Sequence, residues 1–88
     1  MTAPELAAAY GVRVVLTDLG DWGAAALISE YDPDGPEIRI DVRAAARFDE
    51  AVAHELYHHR EAIGEVPRLA SRAAREQAAA EYARTFPT

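Results

Sequence analysis

Phe48-Asp49-Glu50-Ala51-Val52-Ala53-His54-Glu55-Leu56-Tyr57-His58-His59-Arg60-Glu61-Ala62-Ile63 is the stretch that decides how this chain folds. No Pro or Gly interrupts residues 42–63, and Phe48, Val52, Leu56 and Ile63 recur at helical intervals. That spacing predicts one helix carrying an apolar stripe that a core must cover. Asp41 is placed to cap the helix and Gly64 to stop it. Beyond it, a last helix is expected from about Pro67 or Leu69 to Arg84, with Pro67 acceptable in a first turn.

Upstream the pattern changes. Pro4-Glu5-Leu6-Ala7-Ala8-Ala9-Tyr10 reads as a short helix with Thr2 or Ala3 near its cap, and Gly11 fits its C-terminal stop. Val12-Arg13-Val14-Val15-Leu16 is β-branched and partly alternating, so a strand is expected there. Residues 23–28 read as a second strand, packed close to a neighbour where only Ala fits. Tyr31-Asp32-Pro33-Asp34-Gly35-Pro36 is a turn signal, and Glu37-Ile38-Arg39-Ile40-Asp41 alternates as a half-buried third strand. Helix, three strands and two helices in that order imply the α+β class: a small three-stranded sheet, an N-terminal helix, a central helix and a C-terminal helix.

Composition narrows the chemistry. The chain has 88 residues and a mass of 9.6 kDa, which points to one domain over residues 1–88. There is no Cys, which removes disulfides, thiolate metal sites and Cys nucleophiles. All nine basic residues are Arg, so Lys chemistry is absent as well. The net charge of −6 makes nucleic acid and anionic membranes poor partners. Of the 88 residues 20 are Ala, so the large apolar content is modest and a metal or a partner would help such a domain hold together. Met1-Thr2-Ala3-Pro4-Glu5 shows no cationic stretch leading into an apolar run, and residues 24–28 fall far short of the roughly 20 residues that span a bilayer. A soluble, cytoplasmic protein is the expectation.

The chemistry lies at His54-Glu55-Leu56-Tyr57-His58, an HExxH pattern in mid-helix. A spacing of four puts both imidazoles on one helix face, a turn apart, where one Zn²⁺ can take both. Glu55 lies about 100° round the helix from His54, placed to act as a general base rather than a ligand. His59 points away from the pair, towards the Phe48, Val52 and Ile63 side, and reads as packing or as a supporting donor.

Zinc calls for a third protein ligand. The extended pattern HExxHxxGxxH fails, because the chain has Glu61 and Gly64 at the Gly and His positions. With no His downstream, the ligand must be a carboxylate: Glu61, Glu65, Glu76 or Glu81. Glu61 would have to double back along its own helix, and Glu65 lies past the helix stop. On a wheel of the last helix Leu69, Ala73, Ala80 and Ala83 form the inward stripe and Glu76 falls within it, while Glu81 aligns with Gln77 and Arg84 on the polar side. A buried carboxylate needs a partner, so Glu76 is selected, and His54, His58 and Glu76 should converge at zinc distances of about 2.0–2.2 Å. Mn²⁺ or other divalent ions are alternative occupants.

These motifs resemble the ImmA/IrrE-type metallopeptidases, a gluzincin-like family. That family reads as an Arg-Phe pair, HExxH, and later ExxAxxFA followed by apolar residues and Pro. Here Arg47-Phe48 leads into His54-Glu55-Leu56-Tyr57-His58, and Glu76-Gln77-Ala78-Ala79-Ala80-Glu81-Tyr82-Ala83 is followed by Phe86-Pro87. Tyr82 replaces the family's Phe, Tyr57 its common Gly and Ala80 its common Asn. The resemblance implies a minimal zincin-like domain with metal ligands His54, His58 and Glu76 and general base Glu55. It also implies a zinc peptidase acting on a regulatory protein, often a DNA-binding repressor, with any DNA contact made by that partner. Donors to the developing oxyanion would come from Tyr57, Tyr31, Tyr82 or Arg60, with Tyr57 one turn from His54. A metal-stabilised binding or regulatory module without turnover is the alternative.

Overall fold

An alternating strand with two Ile on one face must find a cover for that face. In the computed structural model, which describes residues 1–22, 25, 26 and 28–86, Glu37–Asp41 does so as the centre of the main sheet. The strands are β1 (Arg13–Thr17), β2 (Asp21–Trp22), β3 (Ala25–Ala26), β4 (Ser29–Asp32) and β5 (Glu37–Asp41). The helices are α1 (Ala3–Ala9), α2 (Phe48–Ala62) and α3 (Arg72–Thr85). The main sheet runs β1-β5-β4, with β5 parallel to β1 and antiparallel to β4. Ile38 faces Val14 and Tyr31 across the ladder, and Ile40 faces Leu16 and Ser29. Ile38 and Ile40 are completely buried, together with Val52 and Leu56 of α2 and Ala3 and Ala7 of α1. The fold is thus the α+β arrangement expected, with a three-stranded sheet and three helices.

The opposite face of the sheet is ionic. Arg39 is held by Glu30 at 2.6 Å, by Glu37 at 2.7 Å and by Asp32 at 3.4 Å. These pairs are partly solvated, so they specify which face meets water more than they stabilise.

The third strand of the sheet differs from the sequence expectation. It is Ser29–Asp32, whereas the strand was expected over residues 23–28. Of those residues Gly23, Ala24 and Leu27 lie outside the described residues, and Ala25–Ala26 pairs with Asp21–Trp22 in a separate two-stranded ribbon. The turn chemistry of the sequence begins two residues before the turn itself. Tyr31 and Asp32 still pair with β5, and the turn occupies residues 33–36, with the Asp34 N–H donating to Asp32 Oδ1 at 2.9 Å.

Each helix boundary has a local cause. Thr2 caps α1 in a reciprocal box: its amide donates to Glu5 Oε1 at 2.8 Å, and the Glu5 amide donates to Thr2 Oγ1. The helix expected from residue 42 is two elements, a 3₁₀ segment Val42–Arg47 and then α2, with a break in helical geometry at Ala44. α2 ends in a Schellman arrangement: the Gly64 amide donates to the Glu61 carbonyl, the Glu65 amide to the Arg60 carbonyl, and Gly64 takes φ +79°. Ile63 therefore leaves the expected apolar stripe and is half-exposed. α3 starts at Arg72, not at Pro67 or Leu69, because Ser71 supplies the cap by accepting from the Ala74 amide at 3.0 Å. No described helix is long and apolar enough to cross a membrane.

Asp41 ties these parts together. Its side chain is 2% exposed and accepts from the Arg43 amide, from the Arg43 guanidinium twice, each at 2.8 Å, and from the Leu19 amide at 3.0 Å. Its own amide donates to the Ile28 carbonyl at 2.8 Å. One carboxylate thus fixes the end of β5, the loop after β1 and the entry to α2. The Arg43 side-chain bonds, followed by the backbone amides, hold its carboxyl well below the usual carboxylate range. A depressed value contributes stability above the ordinary carboxylate pKa, and that contribution fades as pH falls through the folded value. Asp41→Asn is expected to lower the melting temperature at pH 7 by about 5 °C or more. The gap to the parent should narrow on acidification from about pH 5 to pH 2. Melting curves of both proteins across that range check this, and a gap independent of pH would count against the charge.

Candidate metal centre

Two imidazoles four residues apart on α2 and one carboxylate on α3 meet where these helices pack. Nε2 of His54 and Nε2 of His58 each lie 3.0 Å from Glu76 Oε2, and one donor atom from each residue falls within 4.8 Å of the others. That span suits a single ion with bonds of about 2 Å. The histidine rings stand edge to face with centroids 5.3 Å apart.

Glu76 arrives there for a reason only partly anticipated. The inward stripe of α3 is Ala79 and Ala83, not Leu69, Ala73, Ala80 and Ala83; of that expected set Ala83 alone is buried. Glu76 shares the face of Ala79 and Ala83 at spacings of three and seven, but at the rim, with its side chain 44% exposed. Ala at 73, 74, 78, 79 and 80 gives a helical wheel little contrast, which is why the centre of the stripe was misplaced. Burial raises the Glu76 pKa, but hydrogen bonds to His54 and His58 and their charge outweigh it, so the carboxyl stays below its usual value.

Glu55 is 7% exposed and lies on the side of α2 facing the sheet. Its Oε2 accepts from Ser29 Oγ at 2.7 Å. Burial drives its pKa up; Ser29, His54 and His58 oppose this and Glu76 adds to it, and the net direction is upward. Ser29 had no signal in the sequence. It is aimed at α2 because it pairs with Ile40 across the β4–β5 ladder and so shares the inner face.

His58 is gripped from both sides. Its Nδ1 lies 2.8 Å from Glu61 Oε1, and its Nε2 points to Glu76. Burial lowers the His58 pKa, but Glu61, the charge of Glu55 and Glu76 overcome it and the net shift is upward. Glu61, which as a ligand would have to double back along its own helix, is buried behind His58. Of the other carboxylate candidates, Glu65 accepts from Tyr10 Oη and from Arg60 Nε, and Glu81 pairs with Arg84 on the exposed side.

The donor set fits a divalent cation on its own chemistry. A His58 ring that donates from Nδ1 to Glu61 and from Nε2 to Glu76 carries two protons, and a divalent cation could take the place of the one on Nε2. Two imidazoles with one carboxylate are a set that zinc accepts.

Beside this centre is a cleft of about 600 Å³ between α2, α3 and the start of β4, walled by Ser29, Arg47, Ala51, Gln77 and Ala80. The four expected oxyanion donors are engaged elsewhere. Tyr57 packs against Tyr82 at 5.7 Å between centroids and edge-on to His58 at 6.4 Å. Tyr31 Oη is hydrogen-bonded to His59 Nδ1 at 2.7 Å, and Arg60 lies over the Tyr82 ring. His59 is a buried packing residue as expected, with Tyr10 and Tyr31 edge-on to its ring. Burial lowers its pKa. No protein-family model, curated protein or solved structure matches the chain.

A metal linking α2 to α3 should raise stability. The protein is expected to bind one equivalent of Zn²⁺ and to lose melting temperature when a chelator strips it. Glu76→Ala should weaken zinc binding by more than about 100-fold, and Glu81→Ala should leave it unchanged. Calorimetric titration of the three proteins tests both, and equal affinities would remove Glu76 from the site.

Proposed function

We propose that this protein is a zinc-dependent peptidase that hydrolyses peptide bonds, with His54, His58 and Glu76 as metal ligands and Glu55 as general base. The observation that carries the reading is the place of Glu55. It is a buried carboxylate beside the convergent donor set and not part of it, with one oxygen held by Ser29. Zn²⁺ bound at this set would supply Lewis acidity to water and to a substrate carbonyl.

The chain's own residues supply the rest. Ser29 fixes one oxygen of Glu55 and leaves Oε1, which has no hydrogen-bond partner among the described residues, to accept a proton from the attacking water. The raised pKa of Glu55 brings its proton affinity nearer to neutrality, which suits a group that must take a proton and return it to the leaving amine. Arg47, paired with Glu50 at 3.0 Å, lies on the cleft wall and is assigned to the substrate main chain, in place of the donor role first expected of Tyr57. The resemblance of Arg47-Phe48, HExxH and the Glu76 segment to the ImmA/IrrE-type metallopeptidases supports a cytoplasmic enzyme whose substrate is a regulatory protein, with a transcriptional repressor as first candidate.

One observation favours a second reading, a metal-stabilised binding module. None of Tyr31, Tyr57, Tyr82 and Arg60 lines the cleft, so the donors expected of an efficient peptidase are turned away from it.

Glu55→Gln separates the two readings. The variant keeps the side-chain shape and its capacity to accept from Ser29 but loses the base. It is expected to bind zinc and melt like the parent, and to lose peptide cleavage by at least about 100-fold. Zinc stoichiometry and cleavage are measured side by side. A variant as active as the parent overturns the general-base assignment, and a zinc-loaded parent that cleaves neither peptides nor repressor proteins establishes the binding module.

A further inference from the structure

We propose that Glu61 is a positioning residue for the metal centre, orienting His58 and fixing the proton on its Nδ1; the inference rests on the metal-binding reading above. Helical side chains lean back towards the N-terminus, so a Glu three residues after a His lies over that His. Glu61 does this at the last turn of α2, with Oε1 2.8 Å from His58 Nδ1 and its side chain 5% exposed. The ring is then fixed at two points, Nδ1 against Glu61 and Nε2 against Glu76, on opposite sides of the imidazole. A donor contact at Nδ1 leaves the Nε2 lone pair as the ring's ligating electrons and makes them more basic.

The other oxygen gains nothing from this placement. Glu61 Oε2 is buried and has no hydrogen-bond partner among the described residues. A carboxylate kept for stability would be satisfied at both oxygens or released to water, because a buried unpaired polar atom opposes folding. Glu61 is held in an unfavourable place with His58 as its hydrogen-bond partner. Removing the carboxylate relieves that buried charge but leaves His58 Nδ1 without its partner, so the effect on the metal-free fold has to be separated from the effect on the metal. The two histidines also differ: His54 has no comparable contact at Nδ1 among the described residues, so the supporting carboxylate serves one ligand of the pair.

The test compares the full chain with Glu61→Leu and Glu61→Gln. Zn²⁺ affinity is measured by competition with a chromogenic chelator, and melting temperature is measured on the metal-free proteins. Glu61→Leu is expected to lose about 10- to 100-fold in zinc affinity, a loss larger than any fall in its metal-free melting temperature accounts for. Glu61→Gln, whose amide oxygen still accepts from Nδ1–H, should recover most of the affinity. A structural residue would move both quantities down together, so a fall in metal-free melting temperature matching the loss of affinity overturns the proposal. Parent-like affinity in Glu61→Leu overturns it too. A Gln variant as weak as the Leu variant removes hydrogen-bond positioning and leaves charge alone. If the parent binds no zinc, the metal-centre reading fails first and this inference falls with it; parent binding with undisturbed Leu binding fails this inference alone.

Discussion

Glu55 and Glu61 are both less than a tenth exposed and stand on one fifteen-residue helix, in a domain whose fully buried large side chains are few. Burying a carboxylate opposes folding unless a donor or a charge meets it. The structure answers for Glu55 with Ser29 and for Glu61 with His58, and each answer fixes a neighbouring element. Ser29 must lie on β4 opposite Ile40, so β4 cannot slip by one residue without turning that hydroxyl outward. His58 must keep its ring edge-on to Glu61, so Nε2 can point only across to α3. Three carboxylates then surround two imidazoles, Glu55, Glu61 and Glu76 about His54 and His58, and the excess negative charge is what a divalent cation would offset.

Small residues bring the second helix close enough to complete the set. Ala79 and Ala83 are buried where α3 meets α2, and with no bulk between the helices a Glu side chain on α3 spans to both imidazoles. Tyr57, Tyr82 and Phe86 close one side of this contact as a chain of tilted and edge-to-face rings. The Ala-rich composition, a weakness when apolar area is counted, is thus what permits the approach. It also leaves α3 with little apolar area of its own, so the helix depends on α2 for its place.

How much of this was legible in the sequence follows from which features are local. HExxH spacing, the alternation over residues 37–41, the Thr2 and Asp41 caps and the Gly11 and Gly64 stops are set by a few neighbouring residues, and they appear where expected. The second expected strand, over residues 23–28, falls too early because Tyr31 and Asp32 carry turn chemistry, yet the β5 ladder and the Tyr31–His59 contact hold them extended. The start of α3 was set too early because Pro67 can open a helix, while the capping hydroxyl that does so lies at Ser71. Glu76 falls on an expected stripe that is wrong in three of four members, since six Ala on α3 make several faces look alike. Ser29 and the role of Glu61 were not legible at all. The first depends on pairing register, and the second on knowing that the end of α2 is covered rather than solvated.

That difference bears on how site and fold are coupled. Glu55 is positioned by the sheet through Ser29, and His54, His58 and Glu76 are brought together by the α2–α3 contact. These two supports meet on α2 and nowhere else in the site. A shift of α3 would open the metal centre while leaving Glu55 and Ser29 in register, whereas a slip of β4 would free Glu55 and spare the ligands. Under the proposed function, metal affinity and proton transfer would therefore be governed by different parts of a very small domain. Asp41 is the element common to both, because it fixes the end of β5, against which β4 is registered, and the turn that launches α2.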